Sequence, residues 1–276
     1  MCNPKRCRTE VRAKKALWEQ FNKCSQYRHT NGYLESPEQN LVTGIGQSNL
    51  ESIKKDYCQG SGSEWNTKIR AVHSSSALVA NTFGRWKSDP SKLIIQGMSG
   101  FREPALEKKC PTGLGGTPPN LDVVLESEST IVGIESKLLE PLSSKRPEFS
   151  ESYSKTKLPY CEDQWWQLLE MARGASNSFK YFDVAQIIKH YLGLRHSYSD
   201  GRNVHLIYIY WQPVNMANFT EYKMHSDEIE KATRVVQGSA VNFISMTYED
   251  LWNSWKGDEE LNRHAEILRY RYSIEI

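Results

Sequence analysis

The longest unbroken apolar run in this chain of 276 residues is residues 206–211, Leu-Ile-Tyr-Ile-Tyr-Trp, and it lies between stretches of helical spacing. Six residues are far short of the roughly 20 that span a bilayer. A branched and aromatic run of this length instead predicts a buried strand over 204–211. Upstream, Trp165, Leu168, Leu169 and Ala172 form one helical stripe, and Val184, Ile187, Ile188 and Tyr191 form the next. Downstream come a charged helical segment around 227–237 and a shorter apolar strand over 241–245. Helix, strand, helix and strand in that order predict parallel strands joined by a crossover. Leu261, Ala265, Leu268 and Tyr272 then mark a closing C-terminal helix. The expected fold is α/β, a mixed central β-sheet flanked by helices.

The first half is patterned differently. Trp65, Ile69, Val72, Ser76, Val79, Phe83 and Trp86 recur alternately four and three residues apart, which predicts one helix ending before Asp89-Pro90. Residues 93–96 read as a short strand and 97–100 as a turn. Residues 111–120 hold three glycines and three prolines and cannot form a regular element, so they read as a shaped loop. Residues 121–126 and 131–135, joined by the polar 127–129, read as an antiparallel hairpin. Residues 141–160 read as an exposed loop or flap. Residues 1–60 are expected to form an N-terminal helical extension, and residues 61–276 the main domain.

Lys+Arg 35 against Asp+Glu 33 leaves a net charge of +2, so any site for a polyanion must be a local patch. One candidate is the N-terminal arm, where Lys5, Arg6, Arg8, Arg12, Lys14 and Lys15 face only Glu10. The other is the flap, where Lys145, Arg146, Lys155 and Lys157 alternate with Phe149, Tyr153 and Tyr160; such a mixture grips phosphates and stacks on unpaired bases, or is simply a solvated loop. The six cysteines are dispersed and read as reduced thiols. Cys2, Cys7 and Cys24 are near enough in sequence to hint at zinc, but no tight pair or matched histidine supports it. The first residues carry charge without a following apolar stretch, so a cytoplasmic location is expected.

Chemistry concentrates on the hairpin. Glu135 and Lys137 are two apart on one strand and face the same side, about 7 Å of rise apart. Asp122 lies across the turn on the preceding strand. Two carboxylates beside a lysine, next to a glycine-rich loop, suit a hard cation such as Mg²⁺ and metal-assisted phosphodiester hydrolysis. The triplet Glu-x-Lys by itself is weak, since the chain repeats it at 107–109 and 221–223. The alternative is an exposed hairpin whose Glu135 and Lys137 pair on the surface.

Pro119-Asn120-Leu121-Asp122 followed by Glu135-Ser136-Lys137 resembles the PD-(D/E)XK nuclease superfamily, also called restriction-endonuclease-like. Arg70-Ala-Val-His73-Ser-Ser-Ser-Ala77-Leu78, taken with the loop 111–122, is similar to a bacterial branch of it, and the likeness covers roughly residues 60–215. That resemblance implies a restriction-endonuclease-like core. It also implies that Asp122, Glu135 and the Ser136 carbonyl bind Mg²⁺ or Mn²⁺, and that Lys137 is the catalytic lysine. Glu64 matches the acid that the superfamily often adds from its first helix, although a helix-start acid is the other reading, and Glu107 is the alternative third acid. Here Asn120-Leu121 separates Pro119 from Asp122, a departure from the Pro-Asp of the motif name. Gln186 and His190 lie four apart on one helix face; Gln186 matches a glutamine some of these nucleases place there, while a surface polar pair is the favoured reading. His73 is either a substrate contact or a structural histidine.

The resulting expectation is a Mg²⁺-dependent endonuclease acting on nucleic acid, DNA foremost, with no membrane partner. Cutting both strands of a duplex takes two such centres, which makes a homodimer a further expectation. One rival is a catalytically silent nucleic-acid-binding module of the same fold, against which the intact Asp/Glu/Lys set argues. Another is a glycosidase using Asp122 and Glu135, which would need no metal.

Overall fold

The structure, a computed structural model, describes residues 8–59, 64–174 and 179–276. Cys2, Cys7, Lys5 and Arg6, with their zinc and polyanion expectations, lie outside the described residues. Three helices come first, α1 (Arg8–Cys24), α2 (Gln47–Gln59) and α3 (Ser75–Phe83), followed by β1 (Ala105–Lys109), β2 (Asn120–Glu126) and β3 (Thr130–Lys137). Then come α4 (Asp163–Arg173), α5 (Val184–Ser197), β4 (Asn203–Tyr210), α6 (Thr220–Val235), β5 (Val241–Thr247), α7 (Tyr248–Ser254) and α8 (Glu259–Tyr272).

The five strands form one sheet in sequence order. β1, β2 and β3 are antiparallel, whereas β4 pairs parallel with β3 and β5 parallel with β4. Connection length dictates the change of direction. Between β2 and β3 the chain turns within three residues, closed by Ser127 N–H donating to the Thr130 carbonyl at 2.8 Å. Between β3 and β4 it crosses over through α4 and α5, and between β4 and β5 through α6, as parallel pairing requires. The fold is thus the α/β arrangement with a mixed sheet that the sequence pattern predicts.

Each face of the sheet has its own core. Val123, Leu125, Val132, Ile134, Ile207 and Ile209 pack with α1, α2, α3, α7 and α8. Leu121, Val124, Ile131, Leu206 and Tyr208 pack with α4, α5 and α6. Strict alternation would put Leu121 on the same side as Val123, so the pleat is interrupted at Asp122. Beside that point on β1, Glu107 lies between Leu106 and Lys108, which pair with Val123 and Leu121. Its φ is +53, a conformation only a few per cent of non-glycine residues adopt.

Two expectations are corrected. The helix predicted over 65–86 is confined to Ser75–Phe83, preceded by a turn and by single-turn 3₁₀ geometry at Lys68–Arg70. The stripe residues Trp65, Ile69 and Val72 are buried as predicted, but Ser74 ends the preceding segment. Its hydroxyl accepts from Ala77 N–H at 3.2 Å and caps α3, the local competition with helix interior that serine offers. The strand predicted at 93–96 is instead a tight turn. Ile95 and Met98 exchange hydrogen bonds of 3.0 and 2.9 Å, and Gln96 and Gly97 both have positive φ, +51 and +75. The first strand of the sheet is β1, which begins at Ala105.

Candidate active site

The C-terminal end of β3 distributes its side chains by the pleat. Ser136 turns toward α7, where its hydroxyl lies 2.6 Å from that of Tyr248. Glu135 and Lys137 turn the other way, toward α5, and are 1% and 7% exposed, which excludes the exposed surface pair. Lys137 Nζ donates to Glu135 Oε1 and, at 2.8 Å, to Gln186 Oε1. The other carboxylate oxygen, Glu135 Oε2, lies 2.8 Å from His190 Nε2, within ion-pair distance but outside hydrogen-bond alignment.

Asp122 joins from β2 by accepting the Ser136 N–H on Oδ2 at 2.7 Å. The Ser136 carbonyl in turn accepts from Ser75 Oγ at 3.1 Å, so the first turn of α3 is tied to the end of β3. Glu107 accepts from Asn120 Nδ2 at 3.1 Å. Glu64, 5% exposed, holds Lys68 on one oxygen and the Ser76 hydroxyl, at 3.1 Å, on the other. These four carboxylates, with Glu140, Ser136 and Lys137, line one cavity of about 630 Å³. Glu64 reaches it from a turn rather than from a helix start. Thr117 and Pro118 bring the glycine-rich loop to the same cavity, a loop in which Gly113, Gly115 and Gly116 all have positive φ.

The carboxyl groups divide electrostatically. Burial pushes Glu135 up, but the charges of Lys137 and His190 outweigh it and bring the group down to about 2. Burial lowers Lys137, and Glu135, Glu140 and Asp122 more than reverse this, so the ammonium is held charged. Asp122 is driven well above the ordinary carboxylate range by burial and by the neighbouring Glu135 and Glu107. Glu107 is raised to about 7 by burial and by Glu64. These acids and Glu140 outnumber Lys68, Lys109 and Lys137 around the cavity, which favours taking up either protons or a cation.

Among the described residues no group of three or more His, Cys, Asp or Glu side chains is arranged to hold a metal ion. The donor chemistry nonetheless fits a hard divalent cation: carboxylate and carbonyl oxygens gathered around one cavity, and an Asp122 carboxyl destabilised by like charge.

Gln186 and His190 are not the surface pair the sequence favoured. His190 is fully buried against Glu135, and Gln186 holds Lys137. The signal was available in α5, where Val184, Ala185, Ile187, Ile188 and Tyr191 are all buried, so that a glutamine and a histidine four apart stand out on an apolar helix. Ser75 and the exposed Tyr33, which also line the cavity, were not singled out by sequence. His73 lines it too and accepts from Trp18 Nε1 on Nδ1 at 3.0 Å. The flap 141–160 has neither α-helix nor strand, but Phe149, Tyr153 and Tyr160 pack against the α4–α5 core. Tyr160 Oη donates to the Thr112 carbonyl, and Arg173 covers the Phe149 ring at 5.5 Å.

The family described as Restriction Endonuclease associating with ARP matches residues 12–273, a span that takes in the whole sheet and all four carboxylates. Comparison with curated proteins and with solved structures gives no match.

Proposed function

The chain belongs to the family of restriction endonucleases associating with ARP, and on that footing we propose that it is a Mg²⁺- or Mn²⁺-dependent endonuclease hydrolysing phosphodiester bonds in DNA. The observation that carries the reading is the placement of Asp122, Glu135, Ser136 and Lys137 around one cavity at the junction of β2 and β3. Asp122, Glu135 and the Ser136 carbonyl would hold the metal, with Glu64 as a third acid and Glu107 as the alternative. When bound, the metal polarises a phosphoryl oxygen and acidifies a water. Lys137 is kept protonated by its acidic neighbours, so it acts as a charged donor that orients the attacking water and offsets charge developing on phosphorus. Gln186 fixes the direction of that ammonium from α5. Cleavage of both strands of a duplex would bring two copies together.

The second reading is a silent nucleic-acid-binding module, favoured by the lack of three converging metal-ligand side chains among the described residues. One experiment separates the two. Purified protein and its Lys137→Ala variant are incubated with plasmid and single-stranded DNA in Mg²⁺, Mn²⁺ or EDTA. Cutting that needs metal and disappears in the variant supports the endonuclease. DNA binding without cutting in any metal supports the silent module, and activity on glycosides that survives EDTA would overturn both. Among the described residues no helix is long and apolar enough to cross a membrane.

A further inference from the structure

Single exposed aromatics are ordinary on protein surfaces, so exposure by itself says nothing. Tyr33, 53% exposed, differs from the other strongly exposed large hydrophobics, Val11, Tyr27, Val214 and Tyr270, in lining the cavity of the four carboxylates. It is also held rigidly. Thr30 and Tyr33 exchange backbone hydrogen bonds of 2.8 and 3.0 Å around Asn31 and Gly32. Those two residues have φ of +52 and +83, the type I′ geometry of a two-residue hairpin. The hairpin is stitched to the segment before α3 by Val72 N–H donating to the Gly32 carbonyl at 2.8 Å and Leu34 N–H to the Arg70 carbonyl at 3.0 Å. A Cβ at Gly32 would fall 2.4 Å from the Trp18 ring, so α1 sits hard against the turn. The ring of Tyr33 meets His73 edge to face at 6.1 Å.

The cavity that Tyr33 lines also carries the exposed cations Lys109 and Lys68, the latter bound to Glu64. An exposed aromatic ring and cations lining one cavity are the components that stack a base while its phosphates are neutralised. A cavity of about 630 Å³ is the size that encloses a small ligand such as one nucleotide unit. The flap aromatics are already packed against the core or Arg173, which leaves Tyr33 as the available platform here.

We infer that Tyr33 stacks on an unpaired nucleobase of the substrate strand, making this a site for single-stranded or locally unpaired nucleic acid. The inference rests on the nuclease reading. To stack, the base must present a free face, which a strand end, a flap or a melted segment does and the interior of a duplex does not.

The test measures binding of a fluorescein-labelled DNA strand, alone and annealed to its complement, by anisotropy in EDTA and again in Ca²⁺, for wild type and for Tyr33→Phe, Tyr33→Leu and Tyr33→Ala. Stacking predicts that Leu and Ala weaken single-strand binding roughly five- to a hundredfold, that Phe retains it, and that duplex binding changes less than about twofold. Equal single-strand affinity in Tyr33→Leu and wild type overturns the inference, as does an equal loss for strand and duplex or a loss in Phe matching that in Leu. If wild type cuts DNA in Mg²⁺ while those losses are missing, Tyr33 alone is refuted. If wild type neither binds nor cuts DNA, the nuclease reading falls and Tyr33 with it.

Discussion

His190 Nε2 stands 2.8 Å from Glu135 Oε2, and both side chains are shut away from solvent. The pair joins β3 to α5 at the floor of the cavity. It extends a chain of contacts in which the opposite oxygen of Glu135 holds Lys137 and Gln186 holds Lys137 from the other side. Helix α5 therefore aims both members of the Glu135-Lys137 set. Buried charge stays in place only when paired, and here the pairing also fixes the carboxylate's orientation.

Replacing the imidazole by an apolar group should show this directly. His190→Leu leaves Glu135 with Lys137 alone and is expected to cost roughly 3 kcal/mol of stability. It should also lower DNA cleavage about tenfold or more, the usual effect of losing a partner that orients a ligand. Urea denaturation and initial cleavage rates check both, with His190→Gln recovering part of each. Unchanged cleavage in a folded His190→Leu would remove the pair from the site.

Gln186 separates orientation from charge. Gln186→Leu keeps the volume and leaves the Lys137 charge on Glu135, but removes the 2.8 Å contact that aims the ammonium. The expected result is a kcat lowered roughly ten- to a hundredfold with KM within about threefold, measured on a single-stranded substrate. A change confined to KM would make Gln186 a substrate contact instead.

How much of this was legible depended on where the burial signal lay. β4, β5, α4, α5 and α8 could be read because each buries a continuous run or stripe; Leu261, Ala265, Leu268 and Tyr272 are all 0% exposed. β1 left almost no trace, since only Leu106 of its five residues is buried. The stripe from Trp65 to Trp86 reported burial correctly and conformation wrongly, because apolar spacing does not reveal that Ser74 caps rather than continues a helix. Glu135 and Lys137 were readable through strand alternation, a local rule, and Asp122 only through its place across the hairpin turn, since alternation breaks at that residue. His190 against Glu135 is a contact between elements 55 positions apart in sequence, which no local spacing encodes. Tyr33 had a local sign, Asn31-Gly32, but its relation to the cavity is tertiary.

Two buried histidines predict acid sensitivity. His225 and His264 are 0% and 1% exposed, and burial lowers them to about 3 and about 4, the latter partly opposed by its bonds to backbone carbonyls. Each stays neutral in the fold while the unfolded chain protonates below about 6.5. Their contribution is complete above that pH and is lost as pH falls toward the folded values, at about 1.4 kcal/mol per unit for each. Asp122 and Glu107, raised in the fold, act in the opposite direction, so the comparison must isolate the histidine. The pH dependence of unfolding free energy in His264→Gln should be flatter than in wild type by about one proton between pH 6 and 4.5. Parallel curves would place His264 in contact with water.

The last prediction sets packing against helix propensity. Alanine is ordinarily better than glycine inside a helix by about 1 kcal/mol, yet at Gly193 a Cβ would sit 2.4 Å from the Cys110 carbonyl oxygen. Backbone cannot rotate away as a side chain would. Cys110 N–H also donates to the Pro119 carbonyl at 3.0 Å, closing the base of the loop that carries Thr117 and Pro118 to the cavity. Gly193→Ala must therefore push α5 off the sheet or shift that loop. The expected outcome is a loss of about 1–3 kcal/mol, the reverse of the propensity sign, with a rise in KM for DNA as the loop is displaced. Chemical denaturation and steady-state cleavage measure the two together. A Gly193→Ala protein as stable as wild type would mean that α5 and the loop do not touch at this point, and the path by which α5 positions the cavity wall would be lost with it.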